Sequence, residues 1–170
     1  MRKLIDAEKM HRTIRRISHE IIEQNSNLED LVILGVKRKG VPLAKIIQEN
    51  IKKIENVDVP IYELDISGYR DDKKVENYEK LRIELDNKTI IIVDDVLFTG
   101  RTVRASMDAV IDLGRPSKIQ LAVLIDRGHR ELPIRADFVG KNMPTSANES
   151  VKVSFTDEIG VFILSEEEKN

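Results

Sequence analysis

Hydrophobic and polar positions alternate along this chain in two distinct periods. Asp6 can cap a helix running from Ala7 to about Asn25, in which Met10, Ile14, Ile17 and Ile21 repeat at three and four residues and form one apolar stripe. Leu31–Val36 and Ile90–Val93 are apolar runs too short for a helix, and they read as strands buried on both faces. After the first run, Pro42 opens a second helical stripe of Leu43, Ile46, Ile47, Ile51 and Ile54. After the second, Val103, Met107, Val110 and Ile111 mark a third helix, which Gly114 and Pro116 end. Ile119, Leu121 and Val123 begin a further strand closing at Asp126, and a short one follows at Asp137–Gly140. Val57–Ile66 alternates, and Pro60 places it at a sheet edge or a bulge. Leu81–Leu85 also alternates and is expected to return as a strand, with Asp86-Asn87 turning the chain into Ile90. Val151, Val153 and Phe155 with Val161, Phe162 and Ile163 suggest a closing hairpin, and the acidic tail from Ser165 is expected to fray. Strand and helix in alternation predict an α/β fold, a parallel sheet with helices on both faces and right-handed crossovers.

Length and composition narrow this picture. At 170 residues, with 41% apolar residues, one domain spanning 1–170 with a sizeable core is expected. Charged residues reach 34%, so the surface is solvated and rich in ion pairs. Aromatic content is 4% with no Trp, so stacking platforms for single-stranded nucleic acid are not evident, and the net charge of −2 carries no global basic signal. There is no cysteine, which excludes disulfides and thiolate metal sites. The N-terminus lacks an apolar signal core, and no apolar run approaches the ~18 residues of a membrane span. A cytoplasmic protein with no membrane partner is the expectation.

The candidate chemistry centres on Ile90–Thr102, IIIVDDVLFTGRT. A buried strand ends in Asp94 and Asp95, and a loop from Val96 to Gly100 leads into a helix starting near Arg101. In open α/β sheets, ligands bind beyond the carboxyl ends of the strands, and free N–H groups at a helix start favour an anion. Thr99 and Thr102 add hydroxyl donors, and Gly100 permits close backbone approach. The stretch therefore reads as a phosphate seat beside two acids able to hold sugar hydroxyls or a divalent metal. A strand ending in Asp before a Gly turn is also common in α/β proteins, so the local pattern leaves both readings open.

Two other stretches join it. Lys37-Arg38-Lys39-Gly40 follows the first buried strand and could hold a second anion, such as pyrophosphate. Ser67–Glu79 is polar and aperiodic, which suits a lid over a reactive sugar cation. The first helix carries Arg12, Arg15, Arg16 and His19 opposite its apolar stripe; Glu8, Glu20 and Glu23 balance them, so a plain solvated face is the ordinary alternative.

VDDVLFTGRT resembles the phosphoribosyl pyrophosphate (PRPP) signature of type I phosphoribosyltransferases, whose acids contact ribose hydroxyls and whose following loop binds the 5′-phosphate. ELDISGYRDD (Glu63–Asp72) and VDDVLFTGRTVRASMDAVIDLGRPSKIQLAVLIDRGHRELPIRADFVGKNMPTS (Val93–Ser146) extend the likeness to the bifunctional PyrR family. DRGHRELPIRADFVGKN (Asp126–Asn142) is its most specific part. The resemblance implies a type I phosphoribosyltransferase fold with a parallel sheet of about five strands, a flexible lid and a small hood from residues of about 126–164. It implies Mg²⁺, with uracil and PRPP converted to UMP and pyrophosphate, and UMP- or UTP-promoted binding to leader mRNA of a pyrimidine operon, in a homodimer or higher oligomer.

The residue roles it implies are as follows. Asp94 and Asp95 hold the ribose side and, mostly through PRPP, the metal. Lys37, Arg38, Lys39 and the Gly40 amide stabilise the leaving pyrophosphate, within reach of Arg70. Val96, Leu97, Phe98, Thr99, Gly100, Arg101 and Thr102 anchor the 5′-phosphate. Backbone groups around Phe138, Val139, Gly140 and Lys141 read uracil. Arg15, Arg16, His19, Arg130, Arg135 and Lys141 form an RNA face. Two positions depart from the family: KRKG has Arg38 and Lys39 where Thr and Arg are usual, and Ser67-Gly68 replaces a Thr-Leu pair. Phe98 stands where 6-oxopurine relatives carry a carboxylate near the purine N7, which disfavours a purine substrate. A nucleotide-sensing RNA binder with little catalysis, or a transferase for another base, remain alternatives at this point.

Overall fold

The computed structural model describes residues 1–72 and 81–169. Its elements, in order, are β1 (Arg2–Ile5), α1 (Ala7–Gln24), β2 (Leu31–Val36), α2 (Gly40–Glu55), β3 (Ile61–Leu64), β4 (Thr89–Leu97), α3 (Arg101–Leu113), β5 (Lys118–Asp126), β6 (Phe138–Asn142), β7 (Ser150–Ser154) and β8 (Gly160–Leu164). Five strands form one sheet in the order β3-β2-β4-β5-β6, parallel throughout.

Alternate residues of the central strands feed two cores, as the two-residue period of a strand requires. Ile33, Ile91, Val93, Ala122 and Leu124 face α1 and α2, and Met10, Ile14, Ile17 and Ile21 are all fully buried there. Each such side chain contributes about 1.5–3 kcal/mol by burial. Val32, Leu34, Ile90, Ile92, Leu121 and Val123 face the opposite way, onto Val103 and Val110 of α3. Asp6 caps α1 as expected, its carboxylate accepting from the Lys9 N–H at 2.8 Å. Pro60 ends the approach to β3, which is an edge strand.

A second, antiparallel sheet runs β1-β8-β7. The β7–β8 hairpin matches the sequence pattern. β1 does not: the N-terminus supplies a third strand, with Arg2 opposite Ile163 and Ile5 opposite Val161.

Other expectations need correction. β4 does not stop at the acids but runs on through Leu97, because β5 continues beside it, with Val96 opposite Ile125 and Leu97 opposite Asp126. The loop after it is therefore only Phe98–Gly100. Leu81–Leu85 keeps the alternation in burial but is not a strand, and among the described residues nothing pairs with it. Ile111 is 62% exposed. It lies about 80° around the helix from Val103, at the margin of the apolar stripe. The acidic tail forms a short 3₁₀ turn at Glu166–Lys169, where Glu168 pairs with the N-terminal amine. The proposed lid is described only as far as Asp72; the rest of it, up to Glu79, lies outside the described residues.

Candidate active site

Strand lengths create the site. β2 stops pairing with β4 at Gly35–Val93, while β5 stays paired through Leu97. Asp94 and Asp95 thus stand where one neighbour has ended and the other continues. The KRKG turn occupies the end of β2. Its Gly40 lies so close to β4 that a Cβ there would sit 2.2 Å from the Val93 carbonyl oxygen. Only a residue without a side chain lets this turn rest on the acid strand. The Lys37–Arg38 peptide is cis. Lys37 N–H donates to the Leu64 carbonyl at 3.0 Å, fixing the start of the turn to β3. Lys37, Arg38 and Lys39 are exposed, and Lys39 Nζ reaches the Val153 carbonyl of β7 at 3.5 Å.

Of the two acids, Asp94 is buried and Asp95 is half-buried. Asp94 is 8% exposed, and burial together with the neighbouring Asp95 charge pushes its carboxyl well above the usual range. Asp95 is also raised by burial, offset by hydrogen bonds to Asp94 and the Val96 N–H and by the Lys39 charge. Buried acids with raised pKa values favour partners that supply protons or positive charge, such as hydroxyls or a cation. Among the described residues, no three His, Cys, Asp or Glu side chains converge. A divalent ion would therefore share this pair with oxygens of its ligand, the usual manner of holding Mg²⁺, and the donor chemistry fits.

Phe98, Thr99 and Gly100 turn the chain from β4 into α3. Gly100 caps the helix at φ 94°, a left-handed conformation that glycine adopts without strain. A cleft of about 210 Å³ opens here, lined by Arg70, Asp71, Asp72, Thr99, Arg101, Thr102 and Glu131. Asp71 accepts from Arg101 Nη1 at 2.8 Å and Arg104 Nη1 at 2.6 Å, and Arg101 Nε donates to Glu131 at 3.1 Å. These partners hold the Asp71 carboxyl below its usual range. Arg70 is turned onto Asp72, which it meets through Nε at 2.9 Å and Nη2 at 2.8 Å.

Several expected site residues stand differently. The Leu97 side chain is 1% exposed, in the α3-side core, so its side chain is not available to a phosphate; its carbonyl accepts the Arg127 N–H at 2.9 Å. Phe138 is fully buried in the α1-side core, so only its backbone is left for a base. The Val139 and Gly140 carbonyls accept from Arg16 Nη2 at 3.3 and 2.5 Å. Arg16 also pairs with Glu20 at 2.6 Å, and Arg130 pairs with Asp126. Both arginines, expected on an RNA face, are engaged internally. Arg15, His19, Arg135 and Lys141 are exposed. α1 packs beside β6, which brings the basic helix face to the strand carrying Lys141.

One residue that sequence reasoning passed over is Arg127. It is 7% exposed, and its guanidinium lies 4.0 Å from the centroid of the Phe98 ring. In the sequence it is one of several charges in a loop, and nothing marks it as buried.

The acid pair at the strand end thus lies between a glycine-seated basic turn on one side and a threonine–glycine helix start on the other. The phosphoribosyl transferase domain family matches residues 2–156. Solved structures share the fold. The hypoxanthine phosphoribosyltransferase of Trypanosoma cruzi superposes with a TM-score of 0.80 at 19% identity, over 97% of each chain. A hypoxanthine-guanine phosphoribosyltransferase from Bacillus anthracis gives 0.71 at 21%, over 85% of this chain and 83% of that one. The bifunctional protein PyrR of Streptococcus mutans is 49% identical over 171 residues, covering 98% of this chain and 97% of its own. That of Caldicellulosiruptor bescii is 56% identical over 158 residues, covering 89% and 87%. The chain belongs to the bifunctional PyrR family.

Proposed function

We propose that this protein regulates pyrimidine-operon attenuation by binding leader RNA in response to UMP or UTP, and also makes UMP from uracil and PRPP. The observation that carries the enzymatic half is the Asp94–Asp95 pair, seated between the KRKG turn and the Phe98–Thr102 turn. This spacing suits a ribose with one charged group on each side.

In this reading the acids accept hydrogen bonds from the two ribose hydroxyls. Lys37, Arg38, Lys39 and the Gly40 N–H face the leaving pyrophosphate, and Arg70 adds charge once it leaves Asp72. Thr99, Gly100, Arg101 and Thr102 take the 5′-phosphate through hydroxyls and free helix N–H groups. Mg²⁺, when bound, neutralises the pyrophosphate charge. The C1–O bond loosens first, its electron pair leaving with pyrophosphate, and uracil N1 adds from the opposite face as its proton passes to solvent. The chain's contribution is chiefly positioning and leaving-group electrostatics. Phe98 offers no carboxylate to a purine N7, which supports a pyrimidine. The base is read by backbone groups of Phe138–Lys141, provided Arg16 yields the Val139 and Gly140 carbonyls.

Arg15, His19, Arg135 and Lys141 are the exposed cations for RNA, joined by Arg16 and Arg130 when they leave their internal partners. A second copy of the chain completes this face in a homodimer. No helix among the described residues is long and apolar enough to cross a membrane. Incubating the protein with PRPP, Mg²⁺ and a panel of labelled bases tests the chemistry: UMP should form and inosinate should not. A leader-RNA gel shift with and without UMP, at two salt concentrations, tests the regulation. Absence of any UMP would remove the transferase half, and a nucleotide-independent shift would remove the sensing half.

A further inference from the structure

The loop ends around Phe98 form a clasp that the roles above leave unused. The Phe98 ring meets two side chains from the segment after β5. Arg127 stacks its guanidinium on the ring, 4.0 Å from the centroid, and His129 meets it edge-on at 5.4 Å. Both are also tied to the segment that leads from β6 into β7. Arg127 Nε donates to Thr145 Oγ1 at 2.9 Å, and Nη2 donates to the Glu149 carbonyl at 2.7 Å and the Ser146 carbonyl at 3.4 Å. The His129 ring Nε2 lies 2.5 Å from the Thr145 carbonyl.

The construction is costly, which is informative. A guanidinium taken almost wholly from water loses hydration, and burial lowers the Arg127 pKa from its usual value. Among the described residues it forms no ion pair; its compensation is carbonyls, a hydroxyl and an aromatic face. His129 adopts φ 60°, uncommon for a residue with a side chain and retained where surroundings over-determine it. Two unfavourable features converge on one ring, and that ring belongs to the residue immediately before Thr99-Gly100-Arg101.

We propose that Arg127 is a positioning residue for the phosphate turn: by clamping Phe98 to the Thr145–Glu149 segment, it fixes where Thr99, Gly100 and Thr102 meet the 5′-phosphate. The proposal rests on the phosphate assignment made above. It couples the phosphate turn to the Thr145–Glu149 segment leading into β7, with the Arg127 guanidinium as the main tie and His129 beside it. Lysine is no substitute, because a point charge provides neither the planar face nor the fork of donors.

Direct titration of ribose 5-phosphate, which requires no turnover, tests this. Arg127→Lys and Arg127→Met should each weaken binding about tenfold or more, in line with the loss of one positioned group. Thr145→Val, which removes only the Nε acceptor, should weaken it a few-fold in a protein that melts normally. Magnesium pyrophosphate, held at the KRKG turn, should bind every variant as it binds wild type; a merely structural defect would weaken both ligands together and overturn the proposal. Arg127→Met combined with Phe98→Leu should cost no more than either alone, since they act as one unit. Wild-type binding with unchanged affinity in folded Thr145→Val and Arg127→Lys overturns the clasp alone. Failure of wild type itself to bind ribose 5-phosphate overturns the phosphate assignment as well.

Discussion

Gly40→Ala tests how the two halves of the site are joined. The new methyl carbon would lie 2.2 Å from the Val93 carbonyl oxygen, 3.1 Å from the Val93 carbonyl carbon and 3.2 Å from Asp94 Cα. All three are backbone atoms, so no side chain can rotate away. Restoring an ordinary contact requires the KRKG turn and the end of β4 to separate by roughly 1 Å, and overpacking of this kind costs about 1–3 kcal/mol. At about 2–4 °C per kcal/mol for a domain of this size, melting should fall but folding should survive. The functional effect should be larger. The cations would withdraw from the acids by about the distance that costs roughly a hundredfold in rate when reacting groups are misplaced. Initial rates of UMP formation, with melting curves on the same preparations, read both quantities. UMP affinity should change only a few-fold, because the ribose 5-phosphate seat lies on the other side of the acids. A folded Gly40→Ala protein with wild-type kcat/KM for PRPP would refute this account of the close approach.

Other outcomes follow from the same geometry. Asp71→Asn removes a carboxylate that occupies Arg101 and Arg104, so ribose 5-phosphate should bind a few-fold tighter at low salt and equally at high salt; weaker binding at low salt would show that Asp71 instead supports the cleft. Burial raises the Asp94 pKa, so the folded protein binds that proton more tightly than the unfolded chain does. The site therefore costs stability above the folded pKa, and the cost disappears as pH falls towards the ordinary carboxylate value of about 3.9. Asp94→Asn should accordingly raise the melting temperature at pH 7 more than at pH 4; equal shifts at both would contradict the burial argument. Arg135→Ala should weaken leader-RNA binding without altering PRPP turnover, and an unchanged gel shift would remove Arg135 from the RNA face.

The parallel sheet was legible because each buried strand is written as a compact apolar run and each helix as a spaced stripe. Asp94, Asp95 and Gly40 were legible too, since strand ends and glycine turns announce themselves locally. What escaped depends on partners distant in the chain. β1 is four residues long, RKLI, and becomes a strand only because β8 lies beside it. Val96 and Leu97 join β4 because β5 continues past them. Leu81–Leu85 has the alternation of a strand, but pairing, not alternation, makes one. Arg127 carries the signature of a surface residue, and only the approach of Phe98 and of Thr145–Glu149 buries it. Arg16 likewise lies on a helix face that reads as solvated, yet it reaches across to β6.

Calorimetric titration of PRPP with Mg²⁺, and separately of UMP, into wild type and the Asp94→Asn/Asp95→Asn double variant bears most directly on the ribose assignment. The expected result is a folded variant that loses tenfold or more in affinity for both ligands. Two unchanged affinities in a folded variant would contradict it.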